Sequence, residues 1–245
     1  MDIHDYHLQN KINTTHFWYA ARKKLIEKIF IKLFGNEQSS RTILDIGCGT
    51  GTELSILNKF GNVVGTDINK EALLIAKSQK HSVLYHNLEN DKILKESQDV
   101  ICCFDVLEHL KNDDLALSKI FEGLKPGGMF IFTVPAMPWL FSEHDRAVGH
   151  YRRYKKSIFH QKLICTGFNK INLYYWNFFL FLPIAIFRII KISLRKITKG
   201  EEKSDGKNLP SLINSILYYI LNLENLFYNK KLFPFGLTIY GIAKK

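Results

Sequence analysis

The sequence predicts an α/β protein, a mostly parallel sheet with helices on both faces. Two observations carry that expectation. Between Thr42 and Pro135, short apolar runs alternate with stretches of helical spacing, and near-continuous apolar strands separated by helices belong to a sheet covered on both sides. The first of these runs passes straight into a glycine-rich turn, TILDIGCGTGTEL at 42–54. Such a turn lets the backbone approach a ligand closely, with helix N-terminal amides facing it.

The elements follow in chain order. HFWYAARKKLIEKIF (16–30) reads as an amphipathic helix within an N-terminal helical cap, residues 1–40. TILDIG (42–47) is the first strand. TELSILNKF (52–60) has helical spacing at Leu54, Leu57 and Phe60, with Gly61 as its stop. NVVGTD (62–67) is a strand, KEALLIAKSQK (70–80) a helix, and SVLYHNL (82–88) and DVICCFDVL (99–107) are the next strands. DDLALSKIFEGL (113–124) is a helix closed by KPGG, and MFIFTVP (129–135) is the fifth strand. AMPWLFSEHDRAVGHYRRY (136–154) reads as a long loop. SIFHQKLICTGF (157–168) is a helix ended at Gly167, followed by strands NKINLYYWN (169–177) and GLTIYGIAKK (236–245).

Those last two strands are interrupted by a helical insertion, 178–235. It opens on FFLFLPIAIF (178–187), about half the length a membrane-spanning helix needs. RIIKISLRKITK (188–199) carries its basic residues largely on one helical face, GEEKSDGKN (200–208) is a polar linker, and SLINSILYYILNLENLFY (211–228) is a second amphipathic helix behind Pro210. The domain organisation is therefore a core of 1–177 plus 236–245 and the insertion. The net charge is +11, and between Asp145 and Gly200 twelve Lys and Arg face one acidic residue, which accounts for the whole excess. A basic amphipathic helix beside an aromatic-aliphatic run fits an anionic membrane surface; a helical hairpin packed on the sheet, lysines in solvent, is the other reading. Nucleic acid is not expected, because aliphatic residues separate the lysines and no stacking platform is evident. Cys48, Cys102, Cys103 and Cys165 lack metal-ligand spacing and read as reduced thiols. No metal ligand set is assigned. The opening residues contain no apolar signal core, so a cytoplasmic chain at the membrane periphery is expected.

The glycine turn has the form Gly-x-Gly-x-Gly, with Asp45 two residues before Gly47. A carboxylate there repels a pyrophosphate but accepts a ligand with an ammonium and a sulfonium. Asp67, ending the second strand, can accept both ribose hydroxyls of an adenosine. A nucleoside with a cationic tail describes S-adenosylmethionine.

LDIGCGTG (44–51), GTDIN (65–69), FDVLEHL (104–110) and LKPGGMFIFTVP (124–135) resemble, in order and spacing, the class I S-adenosylmethionine-dependent methyltransferases, over roughly 15–177 and 236–245. The resemblance implies a Rossmann-like seven-stranded sheet, mostly parallel with its last strand antiparallel, and a site at the C-terminal strand ends. It implies that Asp45 and the backbone of Gly47, Cys48, Gly49, Thr50 and Gly51 hold the methionine end. Asp67 takes the ribose, Ile68 packs on adenine, Asn87 and Leu88 lie at its edge, and Phe104 and Asp105 face the sulfonium and the acceptor. Many relatives carry Asp where Asn87 stands. The likeness extends to ubiquinone-pathway O-methyltransferases, where a trio equivalent to Asp105, Glu108 and His109 can hold a divalent cation.

Methyl transfer to a hydroxyl profits from a general base, and His109, His144 and His150 are the candidates. Asp105, Glu108 and His109 share one face if a helical turn begins there; a polar turn that braces the loop is the plainer reading. The loop after the fifth strand lies over the expected acceptor position. Its Trp139, Asp145, Arg152, Arg153 and Tyr154 are candidate substrate contacts, the arginines as a forked clamp for phosphate or carboxylate; a solvated loop with a local hydrogen bond is the alternative. Trp18 and Tyr19 either anchor the core or line the acceptor pocket. The sequence thus predicts O-methylation of a hydrophobic or lipid-linked acceptor of isoprenoid or envelope-glycolipid type at a membrane surface. A soluble sugar or secondary metabolite under an insertion acting as lid is the alternative; a cofactor-binding scaffold without catalysis is a third.

Overall fold

The computed structural model describes residues 15–195 and 209–245. The strands are β1 (Thr42–Ile46), β2 (Asn62–Asp67), β3 (Val83–Tyr85), β4 (Gln98–Phe104), β5 (Leu124–Pro135), β6 (Asn169–Trp176) and β7 (Thr238–Lys244). They form one seven-stranded sheet, ordered β3-β2-β1-β4-β5-β7-β6. β1 to β5 pair in parallel, and β7 runs antiparallel to both β5 and β6. The helices are α1 (Phe17–Phe34), α2 (Leu54–Leu57), α3 (Lys70–Ser78), α4 (Asp113–Gly123), α5 (Glu143–Ala147), α6 (Lys156–Thr166), α7 (Phe181–Arg195) and α8 (Ser211–Glu224). Two apolar cores lie against the sheet. One joins it to α1, with Leu25, Ile26 and Phe30; the other joins it to α4 and α6, with Leu117, Ile120, Phe159 and Leu163.

Local chemistry sets the ends. Asn69 and Asn112 each accept a hydrogen bond from an amide in the first turn of α3 and α4, at 2.9 and 3.0 Å. Gly167, at φ 111°, closes α6. The helix expected over 52–60 shrinks to α2, because Ile56, Lys59 and Phe60 bond back three residues rather than four. The third strand stops at Tyr85, where Asn87 closes a side-chain turn onto Glu89. The fourth stops at Phe104, because Asp105 is left-handed at φ 56°. KPGG does not end a helix: β5 begins at Leu124, opposite Gln98, and a register shift absorbs the glycines. The loop 136–154 contains α5, started by a reciprocal Ser142–Asp145 capping box.

The insertion is built into the core. Leu180 and Leu221 sit in the same apolar cluster as α1 and Trp176. Glu224, buried at the end of α8, accepts the amides of Phe178 and Phe179. The linker 200–208 and the basic positions Lys196 and Lys199 lie outside the described residues. No helix among the described residues is long and apolar enough to cross a membrane.

Candidate active site

β1 delivers Asp45 to the middle of the sheet, level with Gly65 on β2 and Cys102 on β4. The side chain is buried, and its Oδ2 has no hydrogen-bond partner. Burial, then the nearby Glu53, and further out Asp67, push its carboxyl well above the usual range, with Arg22 acting against them. The turn that follows depends on glycine. Gly47, at φ 73°, would bring a Cβ to 2.2 Å from Val106 Cγ2. Gly49, at φ 52°, opens onto space with no atom within 4 Å of that position. A ligand can therefore lie against the backbone at Gly49. Cys48 is buried, and its thiol is pushed up by burial, then by Asp45 and Asp67; Thr50 is also buried.

Asp67 braces this turn. Its Oδ2 accepts from the Gly49 amide and its Oδ1 from the Asn69 amide, both at 2.8 Å, which leaves further lone pairs for hydroxyls. Ile68, next in the chain, is 64 % exposed, an apolar face of the kind an aromatic base covers. Leu88 is buried. Asn87 accepts the Glu89 amide on its carboxamide oxygen at 3.0 Å, which leaves one lone pair of that oxygen and the amide nitrogen for a ligand.

The residues missed by sequence reasoning are Arg22 and Glu53. Arg22 is buried on α1 and donates to Glu53 Oε1 at 2.6 Å and to Asp105 Oδ2, while its Nε has no partner. A sequence signal existed: Arg22 is the lone cation on the stripe Phe17, Ala21, Leu25, Ile26, Ile29 that α1 buries. A charge in the apolar row of a helix demands a partner. Trp18 and Tyr19 pack on the same guanidinium, with ring centroids 4.7 and 5.4 Å from its carbon, and Trp18 also meets Trp176 at 5.9 Å.

A second cluster sits after β4. The turn Leu107–His109 buries Glu108, whose two carboxylate oxygens lack hydrogen bonds. Burial, then Asp105, pushes that carboxyl well above the usual range. His109 faces His150 edge-on at 4.6 Å, and burial together with His150 lowers its imidazole to about 4. His150 Nδ1 lies 3.0 Å from Asp145 Oδ1, and its Nε2 lies 3.8 Å from Glu108 Oε1. An ionised carboxylate only accepts, so Nδ1 carries a proton toward Asp145, and in the neutral ring Nε2 then holds the lone pair. Asp145 is fully buried. Burial pushes it up, but the His150 hydrogen bond and the Arg153 guanidinium outweigh this and hold it well below the usual range. Ligand atoms of Glu108, His109 and His150 lie within 4.8 Å of one another. This set replaces the Asp105–Glu108–His109 trio, because Asp105 turns to Arg22.

The remaining loop residues divide. Arg152 spends its fork on Asp113 Oδ1 at 2.7 Å and on the carbonyls of Leu110 and Lys111. Arg153 holds Asp145 Oδ1 at 2.7 Å and the Ala136 carbonyl. Neither forms the outward clamp expected; both lock the loop to the core. The Tyr154 hydroxyl donates to Asp113 at 3.0 Å from a buried position, so it too is structural. His144 is half-buried on α5. Trp139 is 57 % exposed and meets Phe181 of α7 at 6.1 Å, which puts an insertion residue against the loop over the strand ends. Phe104 ends β4 buried.

Comparison with known proteins sharpens this. A family profile described as a methyltransferase domain matches residues 17–173. A ubiquinone biosynthesis O-methyltransferase of Hydrogenovibrio crunogenus is 32% identical over 112 residues, 42% of this chain and 46% of that protein. An uncharacterized protein of Methanocaldococcus jannaschii is 35% identical over 140 residues, 53% of this chain and 54% of its own length. The chain thus spans about half the length of these curated relatives. Among solved structures, a possible histamine N-methyltransferase of Thermotoga maritima superposes with a TM-score of 0.60 at 14% identity, covering 99% of this chain and 96% of that one. Phosphoethanolamine N-methyltransferase 2 of Haemonchus contortus, in complex with S-adenosyl-L-methionine, gives a TM-score of 0.59 at 20% identity, covering 89% of this chain and 52% of that one.

Proposed function

Because the chain belongs to the methyltransferase-domain family, a class I S-adenosylmethionine-dependent fold, we propose that it transfers a methyl group from that cofactor to a hydroxyl on a hydrophobic acceptor. One observation carries the cofactor reading. Two of the buried polar atoms without hydrogen-bond partners belong to the cluster beside the glycine turn, an acceptor at Asp45 Oδ2 and a donor at Arg22 Nε. Orphans of opposite kind suit the ammonium and the carboxylate of an amino acid. Asp45 holds the ammonium, Arg22 the carboxylate, the turn at Gly49 lies under the ligand, Asp67 takes the ribose and Ile68 covers adenine. When bound, S-adenosylmethionine supplies an electrophilic methyl on sulfur. Calorimetry tests this directly: S-adenosylhomocysteine binds, and nicotinamide dinucleotides and nucleotides do not. The reverse preference refutes the reading.

His150 is the general base. Asp145 orients it, and Nε2 accepts the proton of the acceptor hydroxyl as the oxygen forms its bond to carbon. His109, lowered to about 4, is neutral at pH 7 and adds no opposing charge. The closeness of Glu108, His109 and His150 supports a second reading, a divalent cation at the same place. Activity that vanishes on chelation and returns with magnesium selects the cation over the base.

The acceptor class is read from the insertion. α7 exposes Leu182, Ile186 and Phe187, and α8 exposes Leu212, Ile216 and Tyr219, each by more than half. In the sequence, Lys and Arg recur through 188–199. Apolar area followed by cations in the sequence suits an anionic lipid surface, and the insertion leaves β6 at the same end of the sheet where β5 ends. An amphiphilic acceptor, isoprenoid or glycolipid in type, would reach the site from that surface. Deleting 178–235 would also remove Leu180 and Leu221 from the core, so the test substitutes serine at Leu182, Ile186, Leu212 and Ile216. The native chain floats with anionic liposomes and the variant does not. If neither floats, the membrane reading fails and a soluble acceptor under a lid remains, a reading supported by the packing of α8 on α1.

A further inference from the structure

α1 carries Arg22, and α1 is held by the insertion at two points. Its first turn needs acceptors for amides that have no partner inside the helix. The helix's own cap is weak: His16 Nδ1 meets the Trp18 amide at 3.4 Å. Asn214, on α8, supplies a better one, accepting the Phe17 amide at 2.8 Å and donating to the Thr15 carbonyl at 2.9 Å. One turn further on, buried Asn225 donates to the Ala21 carbonyl at 2.9 Å and accepts the Trp176 indole N–H at 2.9 Å. Ala21 is the residue before Arg22. Between these two anchors, Leu217, Tyr218 and Leu221 of α8 join the apolar cluster that buries α1. The guanidinium on the far side of this contact is committed to Glu53 and Asp105.

We propose that Asn214 and Asn225 are positioning residues: they fix the axis and start of α1, and through it the place of the Arg22 guanidinium and its unpaired Nε at the amino-acid end of the cofactor. Part of that subsite is therefore specified from the insertion, about 200 residues away in sequence. Neither asparagine touches the ligand. The inference rests on the role given to Arg22 above.

The test separates the two ends of the ligand. S-adenosylhomocysteine carries the amino-acid chain; 5′-methylthioadenosine lacks it. Calorimetry on the full chain compares both for the native protein, Asn214→Ala, Asn214→Asp and Arg22→Lys. Asn214 is half-buried at the rim, so its variants keep the fold, which circular dichroism checks. Losing an N-cap of this kind corresponds to about fivefold in an equilibrium. Asn214→Ala is expected to weaken S-adenosylhomocysteine about fivefold and leave 5′-methylthioadenosine unchanged. Asn214→Asp, which still accepts from the Phe17 amide, is expected to restore most of the difference. Arg22→Lys loses the Nε donor and with it the preference for the longer ligand. If Arg22→Lys loses the preference and Asn214→Ala keeps it, the positioning role is overturned while Arg22 stands. If Arg22→Lys keeps the preference, both fall. Equal weakening of the two ligands by Asn214→Ala marks a general structural role and also overturns the proposal.

Discussion

Asn in place of Asp45 keeps the shape of the side chain and removes the charge that β1 buries. In the ligand-free protein the carboxylate is 2 % exposed and its Oδ2 is unpaired. A buried charge without a partner costs more than a neutral amide in the same place, so Asp45→Asn, which removes the charge alone, should stabilise the free protein by about 2 kcal/mol. For a chain of this size that raises Tm by about 6 °C. Binding should move the other way. At a hundredfold excess over Kd, S-adenosylhomocysteine stabilises the native protein by about 2.7 kcal/mol, and the variant should lose that shift. The pH dependence has a definite sign. Asp45 has its folded pKa raised, so between the unfolded carboxylate value of about 3.9 and the folded one the native state holds more protons than the unfolded state. The native protein loses stability from this group as pH rises through that window. The advantage of Asp45→Asn therefore grows with pH there and stays flat above it. Differential scanning fluorimetry from pH 4 to 8, with and without ligand, reads both effects. A variant that is less stable when free, or that keeps its ligand shift, refutes the idea of a buried carboxylate held ready for a cation.

His150→Gln should lower the methyl-transfer kcat about a hundredfold or more and leave S-adenosylhomocysteine affinity unchanged by calorimetry. Gly49→Ala should fold, because nothing lies within 4 Å of the new Cβ, with left-handed strain of about 1 kcal/mol and no cofactor binding. Gly47→Ala meets Val106 Cγ2 at 2.2 Å and should lose both stability and binding, read by thermal shift. Trp176→Phe removes the donor to buried Asn225 and should cost about 2–4 kcal/mol in urea unfolding.

The sheet was legible because β1, β2 and β4 are short apolar runs ended by glycine or a polar turn, and because the glycine turn brings the backbone close to a ligand. Boundaries failed where backbone detail decided them, as at Asp105, whose left-handed turn no propensity announces. Asp45 and Asp67 could be placed because they lie at or next to the C-terminal ends of β1 and β2. Arg22 could not be assigned a partner, since Glu53 and Asp105 meet it only through packing of α1 across the sheet. The arginines at 152 and 153 misled for the same reason: their forks point at Asp113 and Asp145, and a sequence does not say which way a loop side chain turns. The three histidines are equivalent in the sequence, and the pairing of His150 with Asp145 is visible only in the fold.

β7 lies between β5 and β6 yet follows both in the chain. During synthesis, when the N-terminal part emerges first, β5 has only β4 on one side and β6 has no neighbour at all. Both wait with open edges of unpaired amides and carbonyls, the kind of surface that recruits strands from other chains. This pairing is long-range and slow to form. Chaperone demand, and sensitivity to any lesion in Thr238–Lys244, should therefore concentrate in this half of the sheet, whereas β1 to β4 can assemble as soon as they are made.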